Sequence, residues 1–379
     1  MSKAIYAIGA GNFAIGLGAF LVVGLLVPIA QDMRVSNAGA GLMMVVYAAT
    51  YAVSSPLVVN LSGTWPRRAM LMGSLAILGG GTLVCALAPD WNTFLIGRAI
   101  CALGGGAYTP IAASTVYTLS APERRGRNLS VIFVGLTLSQ AAGIPVGIWL
   151  ETLIGWRMVL AVVLLCILAA LLAILLSTPR RIGFPKPPAS YRLLLVNARA
   201  LTALLLTVLQ VASFNTVYTY IGPLALDRGE SSPFLLLLVI GIASAIGGFL
   251  AGFMVDRLGP WRVLVLVLAS QLVLLPLFSL GALPLAAVMA VAACWAMLSA
   301  FFMVPQQMAL VRDAPDHQSL ILALNATATY IGVALGGGVG AAVIGWSGLG
   351  GLGLVASLLS GVGLAVLFAF RPHRGRPEG

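Results

Sequence analysis

Few side chains in this 379-residue chain could carry chemistry, and Arg98 is the one whose surroundings are most unusual. It lies in the apolar run Phe94-Leu-Ile-Gly-Arg98-Ala-Ile-Cys101. On insertion scales a centred arginine costs about 2.5–3.5 kcal/mol, and it normally faces a cavity or a partner. Partial snorkelling to the near surface would relieve part of that cost. The acid best placed to approach it is Asp32, which follows Pro28-Ile29-Ala30 at the end of another apolar run. If the two pair, the cation holds Asp32 ionised and outside water can protonate it, which describes a proton relay. A solvated helix-end acid and a purely structural arginine are the competing readings. Cys85, Cys101, Cys166 and Cys294 fall inside apolar runs without CxxC spacing, so free, buried thiols are expected. His317 and His373 lie in polar segments and read as ordinary solvated histidines. No catalytic constellation, metal cluster or phosphate-cradling loop is visible, so neither an enzyme nor a bound cofactor is expected.

The remaining candidates are neutral. Tyr47, Thr50, Tyr51 and Ser54 share one helical face, and Ser213, Thr216 and Tyr220 share another. Arg98, Cys101, Gly105 and Thr109 share a third. Asn12, Gln140, Gln210, Gln306, Gln307, Asn325 and Thr329 add amides and hydroxyls. Lining a cavity, such groups suit an uncharged or weakly charged polar solute. Packed between helices, the same groups act as glue.

The elements that must position these residues follow from composition. Hydrophobic residues make up 60% of the chain and charged residues 8%, with a mean hydropathy of +1.05. Soluble domains carry about 25% charged residues. The chain therefore cannot be a soluble enzyme, a nucleic-acid-binding domain or a disordered regulator; its solvent is lipid. Twelve apolar runs approach the roughly 20 residues that a spanning helix needs. They cover about 4–31, 38–61, 69–89, 93–118, 128–150, 157–177, 200–226, 233–255, 261–282, 284–311, 318–343 and 348–370. Continuous runs, without strand-like alternation, predict helices and no barrel. The first run has no short core followed by a cleavage site and reads as a retained helix.

With the N-terminus inside, 17 of the 21 Lys and Arg fall in inner segments and three in outer ones, Arg34, Arg157 and Arg228. This bias predicts both termini in the cytoplasm. The segment 179–199 carries Pro179, Pro185, Pro187 and Pro188 and reads as a linker between halves 1–178 and 200–379. Two six-helix repeats with a site at their midplane interface describe a secondary transporter.

Four patterns stand out: Gly252 with Asp256-Arg257, Gly259 and Arg262; Arg98 with Gly104-Gly105-Gly106; Gly143-Ile-Pro145-Val-Gly147 with Gly155-Trp156-Arg157; and Val217-Tyr-Thr-Tyr220-Ile-Gly-Pro223. On these motifs the chain resembles the major facilitator superfamily, and within it the drug, sugar and nucleoside efflux group that includes arabinose-efflux-type permeases. Gly252-Phe-Met-Val-Asp256-Arg257-Leu-Gly259-Pro-Trp-Arg262 is similar to the superfamily's loop motif. The corresponding loop of the first half departs from it, with Gly63 and Thr64 where an Asp and its basic neighbour would stand. Arg98 followed by Gly104-Gly105-Gly106 resembles the family's span-4 arginine motif. Gly143-Ile-Pro145-Val-Gly147 with Gly155-Trp156-Arg157 resembles the span-5 motif of exporters. Val217-Tyr-Thr-Tyr220-Ile-Gly-Pro223 is similar to span 7 of the efflux group.

The resemblance implies an all-α polytopic protein of twelve transmembrane helices in two six-helix pseudo-repeats, in a bacterial cytoplasmic membrane and monomeric. It implies export of small molecules by alternating access, with proton antiport through Asp32 and Arg98. It makes Gly143, Pro145, Gly147, Gly252, Asp256, Arg257, Gly259 and Arg262 gating elements, with Asp256 and its basic neighbours locking the inner gate. Many members of the group carry Glu before Phe in span 1, where this chain has Ala19-Phe20. That departure favours the alternative, an uncoupled facilitator or an uptake porter for a neutral polar metabolite. The glycines of Gly143xxxGly147, Gly332xxxGly336 and Gly336xxxGly340 also read simply as close-packing positions.

Overall fold

The computed structural model describes residues 2–61, 65–121, 124–179, 182, 198–229, 233–280, 283–313 and 318–369. Most of the expected linker, Gly63, Thr64, His317 and His373 lie outside the described residues. The first half contains α1 (Ser2–Gly24), α2 (Leu26–Asp32), α3 (Asn37–Ala40), α4 (Leu42–Leu61), α5 (Arg67–Leu87), α6 (Trp91–Leu119), α7 (Arg125–Leu138) and α8 (Ile144–Ser177). The second contains α9 (Ala198–Tyr218), α10 (Ile221–Asp227), α11 (Phe234–Leu258), α12 (Pro260–Leu277), α13 (Leu285–Ala300), α14 (Met303–Asp313), α15 (Gln318–Ser347) and α16 (Leu352–Ala369). Among the described residues, 11 helical stretches are long and apolar enough to cross a membrane. One of them, Asn128–Ser177, runs for 50 residues and turns at Gly155 (φ 76°), so it supplies two crossings. The twelve expected spans are thereby recovered.

Proline chemistry explains where the spans break. A proline cannot donate to the carbonyl four residues back and its ring crowds that carbonyl. Pro28, Pro223 and Pro305 sit inside α2, α10 and α14, and the helices break near Leu25, at Thr219–Tyr220 and at Phe301–Phe302. Pro110 instead stays within an unbroken α6, so the matched prolines of spans 4 and 10 have different consequences. In span 5, Pro145 follows a π-helical turn over Ser139–Gly143, where the Ile144 N–H donates to the Ser139 carbonyl. Widening a helix by one residue is a known way to kink it.

Caps and special backbone mark the other ends. The Asp90 carboxylate accepts from the Thr93 N–H (2.9 Å) and hydroxyl (3.0 Å), which starts α6 and holds the Asp90 pKa below its ordinary value. Gly259 joins α11 to α12 with φ 79°, a left-handed value that a side chain would strain.

The two halves meet through α4 against α15, α11 against the π turn and α8, and α2 against α10. The seam can be followed from the end that carries Asp32. Gly41 packs on the Tyr220 hydroxyl, Val45 on Gly337, and Tyr51 on Tyr330 at mid-depth.

Candidate functional site

Arg98 is 2% exposed and is caged by carbonyls. It donates to Met43 O (3.2 Å), Gly18 O (2.5 Å) and Ala19 O (3.0 Å), and its guanidinium lies over the Tyr47 ring, 4.6 Å from the centroid. Each carbonyl has a second lone pair, so a helix can keep its ladder while accepting from a side chain. Ala19 thus serves Arg98 through its backbone carbonyl. Five guanidinium N–H donors in a planar fork suit this three-point clasp of α1 and α4 from α6.

The expected pairing of Asp32 with Arg98 is not what the fold makes. The Asp32 carboxylate accepts from Arg157, which follows Gly155 and Trp156. Arg157 also donates to Ala88 O (3.3 Å) and stacks over the Trp156 ring at 4.3 Å. The break before α2 carries Asp32 to the surface, where the pair is 44% and 42% exposed on its two sides. Such exposed pairs are worth about 0–1 kcal/mol.

A polar cluster forms deeper, between the halves. The Asn12 amide donates to Ile132 O (2.8 Å), and its carbonyl accepts from the Thr109 hydroxyl (2.7 Å). The Tyr51 hydroxyl meets Thr109 and the hydroxyl of Tyr330. The Tyr51 and Tyr330 rings stack with centroids 3.4 Å apart and planes 18° apart. Tyr47 sits beside both, at 6.3 and 6.4 Å between centroids, and its buried hydroxyl has no partner. That hydroxyl occupies the space a Gly105 side chain would fill. Of the sequence candidates, Asn12, Tyr47, Tyr51, Thr109 and Arg98 therefore come together. Thr50 is half-buried nearby on α4, and Ser54 bonds back to Tyr51 O at 3.4 Å. Gln140 is half-buried in the π turn.

Most candidates of the second half are engaged in packing. Ser213 shares bonds with Gln271, Ser360 and Ala356 O at 3.1, 2.8 and 2.6 Å, joining α9, α12 and α16. Asn325 accepts from Thr207 at 2.7 Å, and Thr207 accepts from Gln306 at 3.0 Å. Thr216 and Thr329 bond to carbonyls of their own helices at 2.8 and 2.9 Å. Tyr220 donates to Gly337 O at 2.8 Å and belongs to the seam. Gln210 is buried with its carbonyl oxygen unpartnered. The cavity-lining expectation for Ser213, Thr216 and Asn325 gives way to the glue reading, because their bonding capacity is used between or along helices.

The gating motifs are also redistributed. Side chains on Gly143 and Gly147 would meet Leu17 at 2.4 Å and Leu21 at 2.3 Å, so both glycines seat α1 within their own half. The close approach across halves is made by Ala141, whose Cα lies 3.0 Å from where a Gly241 side chain would begin. Gly332, Gly336 and Gly340 admit α9 to α15. Asp256 and Arg262 are exposed, and Arg257 lies over the Phe253 ring of its own helix at 4.3 Å. Among the described residues Asp256 has no ion-pair partner, and the helix after it begins with Pro260, whose nitrogen cannot donate to it. Gly252 has open space around it.

Cys85 and Cys101 are buried as expected, Cys166 is half-buried, and Cys294 faces outward. Among the described residues no three His, Cys, Asp or Glu side chains gather as metal ligands do. Sequence reasoning missed Tyr330, Gly41 and Gly241. Tyr330 directly follows the polar stretch Asn325-Ala-Thr-Ala-Thr329, which is the one local signal that pointed to it.

Comparison with known proteins agrees with this architecture. Residues 8–337 match the family model of the Major Facilitator Superfamily. The inner membrane transport protein YdhP of Escherichia coli O157:H7 is 30% identical over 99% of this chain and 97% of its own length. A probable sugar efflux transporter of Helicobacter pylori (strain G27) is 26% identical, covering 93% of this chain and 90% of that one. The fold is that of the nucleoside transporter NupG, with a TM-score of 0.80 over 98% of this chain and 100% of that one at 14% identity. Twelve apolar helices in two halves, a polar cluster at their seam and this match across most of the sequence lead to one conclusion: the chain belongs to the major facilitator superfamily.

Proposed function

We propose that this protein exports a small, uncharged or weakly charged polar molecule across a bacterial cytoplasmic membrane by alternating access. The observation that carries the reading is the tyrosine-bridged cluster of Asn12, Thr109, Tyr51 and Tyr330, built from both halves at mid-depth. Rocking of the halves about such a midplane site exposes it to each side in turn. The charge bias of the loops supports cytoplasmic termini, which makes the Asp32 end the outer one. The seam from Gly41 to Tyr330 then closes the outer side, and the protein works as a monomer. The exporter-like span-5 pattern and the efflux transporter among the relatives support outward transport.

Proton antiport has Asp32 as its titratable group, open to outer water beside Arg157. A second reading, an uncoupled facilitator or uptake porter for a neutral metabolite, has a specific observation in its favour. The mid-depth cluster presents hydroxyls and amides, and no carboxylate joins it among the described residues. One experiment separates these readings. The protein is expressed in an efflux-deficient bacterium, and drug tolerance and exported metabolites are compared with and without an imposed pH gradient. Raised tolerance or export that follows the gradient supports the antiporter. Faster uptake indifferent to the gradient supports the facilitator, and no change in either direction refutes transport of these solutes.

A further inference from the structure

We propose that Tyr51 and Tyr330 form a slot for a flat, uncharged, electron-poor heteroaromatic ring, by which the transported solute is held between the halves. This rests on the transport reading above and names its substrate class.

The geometry of the pair is the starting point. A centroid separation of 3.4 Å is about the thickness of one aromatic ring, so the two rings lie almost directly over each other. Two electron-rich faces repel in that arrangement, and aromatic pairs prefer an offset or an edge. Phe94–Trp156 and Phe278–Trp295 meet edge-on at 79° and 72°, and the stacked pairs Trp91–Phe94 and Phe214–Trp295 keep their centroids 5.7 and 4.5 Å apart, farther than the tyrosines. The tyrosine sandwich is therefore imposed by the approach of α4 to α15. An electron-poor ring inserted between them removes the face-to-face repulsion and gains two favourable stacks. Opening the seam by one further ring thickness admits it, and the rings belong to opposite halves, so rocking supplies that motion.

Two neighbouring features select the ligand's chemistry. The Tyr47 ring stands beside both rings, and its hydroxyl, against Gly105, is buried without a partner; a buried donor left unpaired is costly. A ring nitrogen or carbonyl on the ligand's edge would accept from it. The Arg98 guanidinium over the Tyr47 ring makes the pocket unfavourable for a cation. Tyr330 remains half-buried, so the sandwich is not fully enclosed.

The test uses the full-length protein in proteoliposomes with nicotinamide and caffeine as flat neutral probes and D-arabinose as a polar, non-aromatic one. Wild-type protein is expected to carry a heteroaromatic probe, and Tyr330→Phe, which keeps the face, to stay within about threefold of it. Tyr330→Leu should weaken apparent affinity about 5- to 150-fold, the range for loss of a base–aromatic stack. D-arabinose flux should not respond to either change. Tyr51→Leu removes the opposite face and serves where Tyr330→Leu fails to fold, as judged by thermal unfolding. Transport of D-arabinose without the heteroaromatic probes, or equal losses in the Phe and Leu variants, overturns the slot and leaves the transporter reading standing. Transport of none of the probes also overturns the slot, and the efflux-deficient strain then decides whether the broader reading falls with it.

Discussion

Gly41→Ala tests whether the seam at the Asp32 end is a closed gate. The new Cβ would stand 1.8 Å from the Tyr220 hydroxyl oxygen, 2.4 Å from its Cζ and 2.7 Å from its Cε1. Ordinary carbon–oxygen contact needs about 3.5 Å, so the tyrosine has to retreat by well over an ångström. The retreat breaks its 2.8 Å bond to Gly337 O. The lost bond is worth about 1 kcal/mol and the overpacking about 1–3 kcal/mol. Because Gly41 and Tyr220 belong to different halves, the strain is relieved by moving the halves apart at this end. A bias of about 2–4 kcal/mol shifts the balance between closed and open forms roughly 30- to 1000-fold. Hydrogen–deuterium exchange of the segments 37–45 and 219–226 reads that opening, and solute flux in proteoliposomes reads its consequence. Faster exchange in both segments is expected. The double variant Gly41→Ala/Tyr220→Phe removes the nearest clashing atom and should recover part of the protection, with Cζ and Cε1 still crowded. Exchange and flux identical to wild type in Gly41→Ala would refute the seam as the gate.

Three further outcomes are expected. Arg98→Ala forfeits three charge-assisted bonds, roughly 4–9 kcal/mol, against about 3 kcal/mol of membrane cost relieved, so the variant should reach the membrane, unfold at lower temperature and lose transport; full flux would remove Arg98 from the mechanism. Gly143→Leu drives a side chain into Leu17 and should cost about 1–3 kcal/mol in detergent unfolding, more than Gly143→Ala; an unchanged melting temperature would mean span 5 is loosely packed there. Asp32→Asn breaks an exposed pair and should change stability by less than about 1 kcal/mol while uncoupling export from the pH gradient; identical gradient-driven flux would assign coupling to another group.

Much of the architecture was legible in the chain itself. Twelve apolar runs are a one-dimensional pattern, because lipid forces each segment to satisfy its own backbone bonds. Pro28, Pro223 and Pro305 mark breaks, but Pro56, Pro110 and Pro276 lie inside continuous helices, so the fold decides which proline breaks its span. Arg98 was recognisable as exceptional because a charge in an apolar run has a cost that does not depend on the fold.

Partnership was not legible, since it depends on which helices become neighbours and on how far each end lies from the midplane. Asp32 seemed the natural counter-ion of Arg98, but carbonyls of α1 and α4 reach the guanidinium first and Arg157 takes the acid. Ser213 and Tyr51 look alike as polar residues on helical faces. The fold spends Ser213 on a bond network joining α9 to α12 and α16, and brings Tyr51 to Tyr330 across the seam. Gly143 and Gly147 were visible as close-packing positions, but only helix rotation decides that they receive α1 while Ala141 and Gly241 make the contact between halves. The sequence by itself determined the solvent, the number of crossings and the residues too costly to be accidental, because those follow from the energy of each segment in lipid. The tertiary structure alone decided which polar groups bind one another and which meet at the seam between the halves, because hydrogen bonds and ring stacks act only over the few ångströms that packing creates.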